Sequence, residues 1–254
     1  MQTTFFSRWM FVRPRLEAAI SELDRDRLKL PIANPRILFD GFDEKAVVLR
    51  QLPAGPWSSP VADIVTLAKI ALCVAPRRVL EVGSYRGYTT RLLAEHTPES
   101  SRIVAFDRDP RHGEAYQGTE LERKIERRVG TVSKEAFAAD APGSFDLVFL
   151  DADHTFEAVH HDTSVLLPLV APNGVFVWHD YANWGRFSRK NGVPETLHLL
   201  AKELPVVAIS GSWLAAYSPA WKSPEGARRI AEARQSTSTM LSHEDPWTTR
   251  QPRG

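Results

Sequence analysis

From Val61 onward the chain alternates two kinds of hydrophobic pattern. "VADIVTLAKIALCVA" places apolar residues at helical spacing, and "RRVLEVGS" then gives a short apolar run that stops at Gly83. A helix feeding a strand is the reading. Further along, "TTRLLAEH" reads as helix, "RIVAFDRD" as a second strand and "FDLVFLDAD" as a later one. "FEAVHHDTSVLLPLV" follows as helix, "APNG" as a turn and "GVFVWHDY" as strand. After a helix near Pro194 to Leu204, "LPVVAIS" and "WLAAYSP" flank Gly211 and read as a closing strand pair. The strands are nearly continuous apolar runs, as required where both faces of a sheet are covered. The pattern predicts an α/β fold, a doubly wound and mostly parallel sheet with helices on both sides.

The flanks read differently. Residues 1–60 hold a helical stretch near Leu16 to Leu28 and a proline-broken passage ending in "LPAGPWSSP", an extension or lid in which Trp57 closes over the site or packs on the sheet edge. Residues 61–221 form the predicted main domain. Residues 222–254 give one amphipathic helix in "PEGARRIAEAR" and then a polar end expected to be mobile.

Composition narrows the partners. The 254 residues carry 32 Lys plus Arg against 31 Asp plus Glu, so a net charge of +1 offers no footprint for nucleic acid or an anionic membrane. A small molecule is the expected partner. Cys73 is the single cysteine, which excludes an internal disulfide and a thiolate-rich zinc site. Arg8 interrupts the apolar N-terminal residues, and no run approaches the ~20 residues of a membrane span. A cytoplasmic protein is the expectation, with the N-terminal extension and the tail helix available for a homo-oligomer interface.

In open parallel sheets the ligand crevice lies beyond the carboxyl ends of the strands, where strand order reverses. In "LEVGSYRG", Glu81 ends a strand and Gly83 and Gly87 follow, so a ligand can approach bare backbone as the next helix begins. Asp107 closes "IVAFD" 24 residues beyond Gly83, the separation at which a carboxylate commonly binds ribose hydroxyls. The spacing G-x-x-x-G departs from the dinucleotide fingerprint G-x-G-x-x-G, and no G-K-[ST] follows for a P-loop. A pyrophosphate would avoid Glu81, whereas a cofactor with an ammonium and a positive sulfur would not.

"VLEVGSYRGYTT", with "AFDRD" one strand later, resembles the first two motifs of class I S-adenosylmethionine-dependent methyltransferases, whose fold is Rossmann-like. The resemblance runs from about "LPAGPWSSP" to "SGSWLAAY" and includes "YQGTELERKIERRVG" before the third strand. It is strongest to bacterial O-methyltransferases of small molecules, sugars and natural products, with a DxxH and an HD or ED pair. It implies S-adenosylmethionine as cofactor, with Glu81, Gly83, Ser84 and Gly87 along its methionine part and Asp107 at the ribose. Asp151 joins the cofactor set. Relatives carry an acidic residue after the third strand, near the adenine; here the sequence is "GTVS", so Ser133 or Thr131 takes that place or the contact is absent.

Methyl transfer needs an aligned acceptor and removal of its proton. A phenol, with a pKa near ~10, needs little help, whereas an alkyl or sugar hydroxyl needs a base, a metal or both. "DLVFLDADHTF" ends a strand in Asp151, Asp153 and His154, and "VFVWHDY" ends the next in His179 and Asp180. Neighbouring strands lie ~4.8 Å apart, so these groups can converge. The resemblance places a divalent ion, Mg2+ or Mn2+, on Asp151, His179 and Asp180, and a general base at His154. His179 as base, with His154 orienting it, is the other assignment. Histidine stands where metal-using relatives have glutamate, and imidazole ligates magnesium poorly, which favours manganese, another transition ion or no metal. His160 and His161 read as helix-surface or satisfied polar residues. Trp178, Tyr181, Trp184, Phe187 and Trp213 could wall an acceptor pocket or belong to the core.

Two other functions fit parts of the sequence. Asp151 and Asp153 form the DxD of a metal-dependent nucleotide-sugar transferase, although such an enzyme has no use for the glycine turn and Asp107. A cofactor-binding module without methylating activity is the second, since fold does not fix chemistry.

Overall fold

Each apolar run becomes a strand of one mixed sheet. The structure is a computed structural model that describes residues 28–50, 59–182 and 191–243, and for 237–243 the helical backbone alone. The expected helix near Leu16 to Leu28 lies outside the described residues save for Leu28, as do Trp57, Trp184, Phe187 and the polar end after His243.

In chain order the strands are β1 (Ile32–Ala33), β2 (Arg78–Val82), β3 (Arg102–Asp107), β4 (Ile125–Val129), β5 (Phe145–Leu150), β6 (Val170–Trp178), β7 (Val207–Ile209) and β8 (Ala215–Tyr217). The helices are α1 (Pro35–Leu38), α2 (Val61–Val74), α3 (Tyr88–Glu95), α4 (Phe156–Leu166), α5 (Val193–Leu200) and α6 (Pro224–His243). Across the sheet the order is β1-β7-β8-β6-β5-β2-β3-β4. Only β8 runs antiparallel to its neighbours. From β2 the chain winds outward to β3 and β4, then returns to β5 on the other side, so strand order reverses between β2 and β5. Ligands bind at such a switch point.

Strand alternation sorts the core into two layers. Leu80, Val82, Val148, Leu150, Phe176 and Trp178 face one side, with Val159 and Leu166 of α4 and Leu197 of α5. Val79, Leu147, Phe149, Val175 and Val177 face the other, with Leu67, Ile70 and Ala71 of α2. This is the covered parallel sheet that the continuous apolar runs predict.

Three features differ from the sequence reading. The expected turn "APNG" lies inside β6, where the register against β5 shifts between Phe145 and Leu147. A Cβ on Gly174 would stand 2.9 Å from the Phe145 carbonyl oxygen, so the residue marks a bulge rather than a strand break. The tail helix continues to His243, because no glycine or proline interrupts it between Gly226 and Pro246. Residues 32–33 add a parallel edge strand to β7, and Asn34 N–H donates to the Ala233 carbonyl of α6 at 3.1 Å. Part of the N-terminal extension and the tail helix therefore meet at one sheet edge. A two-residue strand has no period to read.

Candidate active site

The glycine turn is built by backbone approach. Gly83 has φ +93°, and a Cβ there would stand 2.0 Å from the carbonyl oxygen of Asp151. Gly87, at φ +83°, would place a Cβ 2.8 Å from Gly113 Cα and from the Tyr116 ring. The missing side chain at Gly83 thus lets the ends of β2 and β5 close on each other, and that at Gly87 lets the segment from Gly113 to Tyr116 pack on the turn. Asp151 N–H donates to Val82 O at 2.9 Å and His179 N–H to Leu150 O at 3.1 Å, carrying the ladder one residue past the strands.

The expected cofactor residues are held by the protein itself. Asp107 accepts the N–H of Tyr85 at 2.7 Å on one oxygen and of Asp109 at 2.9 Å on the other. Each oxygen keeps lone-pair capacity. Ser84 is buried, with its hydroxyl 2.5 Å from His112 Nδ1. Alternation turns Glu81 toward α3, where it is buried and accepts the Thr90 hydroxyl. Burial, assisted by the charges of Asp151 and Asp107 and opposed by the Thr90 bond, pushes the Glu81 carboxyl up to about 8. Ser133 accepts the Ala136 N–H at 3.2 Å and caps the turn after β4.

Beyond β5 and β6 four ionisable groups meet. Asp151, His154 and Asp180 each offer a ligand atom within 4.8 Å of the others, a set able to hold a metal ion. His154 Nε2 lies 2.5 Å from Asp180 Oδ2 and 3.7 Å from Asp151 Oδ1. The other imidazole, His179, is buried beneath them, with Nδ1 3.3 Å from one oxygen each of Asp151 and Asp180. Nδ1 forms a hydrogen bond with neither. Asp180 has φ +59°, a left-handed conformation costing about 1 kcal/mol, and Asn191 holds its carbonyl at 2.9 Å. That backbone turn aims the carboxylate back at the cluster.

The charges are mutually stabilised. The carboxylates of Asp151 and Asp180 beside it outweigh burial and raise His154 to about 10. Burial opposes a charged His179, yet the carboxylates of Asp151 and Asp180 facing Nδ1 and the hydrogen bond to Asp63 hold it well above the ordinary imidazole range. Burial likewise works against Asp180, but the two imidazoles beside it keep it below the usual carboxylate range.

Asp63 was invisible to sequence reasoning. It lies in the first turn of α2, buried, and its Oδ2 accepts His179 Nε2–H at 3.0 Å. Its Oδ1 accepts the Trp213 N–H at 2.9 Å. No motif connects positions 116 residues apart; only a lone carboxylate on an apolar helix face could have drawn notice.

The remaining candidates separate. Asp153 is exposed and accepts the Thr155 N–H at 2.8 Å, so it makes the turn ahead of α4, whose N-cap is Thr155, and does not join Asp151 in the cluster. His160 and His161 are exposed, as read. Trp178 and Tyr181 are 1% exposed and belong to the core, which removes them from the expected acceptor pocket. Trp178 stacks on Phe176 and donates to Thr163 Oγ1 at 3.0 Å. Trp213 does border the cluster, its ring centroid 6.3 Å from that of His179.

Residues 80–181 match a family model described as a methyltransferase domain. The chain resembles catechol O-methyltransferase of Mycobacterium tuberculosis, 33% identical over 90 residues that cover 34% of this chain and 41% of that protein. It also resembles caffeoyl-CoA O-methyltransferase of Stellaria longipes, 32% identical over 123 residues that cover 44% and 48%. The chain spans less than half the length of these relatives. A crystal structure of an O-methyltransferase from Bacillus cereus in complex with SAH aligns over 66% of this chain and 84% of that one, with a TM-score of 0.52 and 22% identity. That likeness is one of fold: a mostly parallel sheet with flanking helices, Rossmann-like.

Proposed function

We propose that this chain is an S-adenosylmethionine-dependent O-methyltransferase acting on a hydroxyl of a small molecule. The observation that carries the reading is the placement of the Asp151, His154, His179 and Asp180 cluster beside the Gly83 turn, at the switch point between β2 and β5. The family match over residues 80–181 supports it. S-adenosylmethionine lies across the turn, its ribose on the free lone pairs of Asp107 and its methionine part against the backbone around Gly83 and Ser84.

Of the two imidazoles His154 is the one placed to act as base, in the neutral form it would take once a cation on Asp151 and Asp180 offsets the carboxylates that hold its proton. Its side chain is 45% exposed and can meet an acceptor, whereas His179 is 6% exposed and bonded on its inner side to Asp63. The acceptor oxygen must stand in line with the sulfur-bound methyl group and within reach of His154 Nε2. Sugar and natural-product hydroxyls are one acceptor class; the phenols named in the relatives above are the other.

A divalent ion fits this cluster. A buried imidazole nitrogen stands 3.3 Å from an oxygen of each of two carboxylates and hydrogen-bonds neither, a donor set of the type that holds such an ion. Adjacent ligands of an octahedral ion with arms of ~2.1 Å stand about 3 Å apart, close to these separations. Asp151, Asp180 and His179 would hold it. When bound, such an ion supplies positive charge that acidifies a hydroxyl and offsets the two carboxylates.

The test is calorimetric titration with S-adenosylmethionine, followed by labelled-methyl transfer to catechols, sugars and natural-product alcohols. His154→Ala is expected to keep cofactor binding and to lose turnover by ~10² to 10⁴. Absence of cofactor binding overturns the methyltransferase reading, and normal turnover by the variant overturns the base.

A further inference from the structure

The one buried carboxylate of α2, far in sequence from every motif, touches the cluster through a single residue. We infer that Asp63 is a positioning residue that makes His179 a metal ligand through Nδ1, giving this site a nitrogen donor and a preference for manganese or another transition ion over magnesium. The inference rests on the O-methyltransferase reading of the same crevice and adds which ion the crevice selects and why.

Val177 faces α2 and Trp178 the opposite layer, so alternation sends His179 back toward α2. There Asp63, 2% exposed, has both oxygens engaged, one by His179 Nε2 and one by the Trp213 N–H. A carboxylate can only accept from these partners, which keeps a proton on Nε2, so a metal ion beside Asp151 and Asp180 would displace only the Nδ1 proton that faces those carboxylates. A buried carboxylate is costly unless paired and hydrogen-bonded, and His179 is the partner the fold supplies.

Metal-bound imidazoles usually donate their second N–H to a carboxylate, which fixes the ring and raises ligand basicity. Here carboxylate, imidazole and cluster stand in that order: Asp63 at 3.0 Å from Nε2, and Asp151 and Asp180 at 3.3 Å from Nδ1. Oxygen ligands suit magnesium, while imidazole favours transition ions. Trp213 extends the support, since its N–H holds Asp63 and its carbonyl accepts the Tyr181 N–H at 2.9 Å, one residue beyond Asp180.

The experiment uses the full chain stripped with EDTA and titrated with Mn2+ or Mg2+ alone. Pulsed electron paramagnetic resonance of the Mn2+ form is expected to show nitrogen coupling that persists in His154→Ala and disappears in His179→Asp. Asp63→Asn is expected to weaken Mn2+ binding by 10- to 100-fold, while S-adenosylmethionine binding and the melting temperature, measured on the same preparation, identify any failure to fold. His179→Asp should shift the Mn2+ to Mg2+ affinity ratio toward Mg2+ by ten-fold or more. Nitrogen coupling that is absent in the native chain, or lost with His154 and not with His179, overturns the assignment. So does unaltered Mn2+ affinity in a folded Asp63→Asn. If the native chain binds S-adenosylmethionine but no metal, this inference fails alone; if it binds no S-adenosylmethionine, the functional reading fails whatever the metal result.

Discussion

The two halves of the crevice floor are finished in different ways. Beyond β2 and β3, the carboxylates are satisfied by neutral donors of the protein: Asp107 by two backbone N–H groups and Glu81 by the Thr90 hydroxyl. Beyond β5 and β6, Asp151, His154, His179 and Asp180 face one another as ion pairs, with Asp63 behind His179 and the Nδ1 of that imidazole hydrogen-bonded to neither carboxylate it faces. In the first half the carboxylates are satisfied by the protein, while His112 Nε2 and the Tyr116 hydroxyl beside Gly87 are buried without a hydrogen-bond partner. The second is a concentration of charge whose arrangement answers to a cation or a proton.

The two halves meet at a seam where a single methyl group has the largest expected effect. Gly83→Ala puts a Cβ into the Asp151 carbonyl at 2.0 Å with φ at +93°, so several kcal/mol of stability should be lost. A drop in melting temperature of roughly 6 °C or more is expected; an unchanged melt means the seam is looser than described. On the charged half, Asp180→Ala removes a partner of both imidazoles. Methyl transfer should fall on the order of 100-fold with cofactor affinity nearly unchanged, measured as kcat/KM beside a binding titration.

The neutral half makes a pH prediction. Glu81 titrates near 4.5 when unfolded but keeps its proton to about 8 in the folded chain. The folded state therefore binds more protons between those values, and this contribution to stability is full below the lower value and lost as pH rises through the upper one. Denaturant unfolding should show stability declining by a few kcal/mol across that window, on the order expected for a shift of this size. Glu81→Gln should flatten the decline. The smallest effect is expected at the exposed His160, where substitution by alanine should alter stability by no more than ~0.5 kcal/mol and leave kcat/KM as it was.

Much of this could be read in one dimension. The glycine turn, Asp107 and the DxxH and HD pairs are local features at the ends of apolar runs, and the sheet that carries them follows from those runs. Trp178 and Tyr181 were less legible: an aromatic near a strand end looks the same whether it lines a pocket or fills the core. Alternation sent Trp178 into the layer under α4, where Phe176 and Thr163 meet it. The edge strand Ile32–Ala33 carries too few residues to show a period, and only its pairing with β7 defines it.

The sequence by itself determined the alternating α/β architecture and the collection of acid and imidazole groups at two strand ends, because strand and turn propensities act over a few residues. Tertiary structure alone decided how those groups are oriented. Asp63 reaches His179 across 116 positions because α2 packs on the face to which alternation turns that imidazole. A contact made by packing leaves no spacing in the chain from which it could be read.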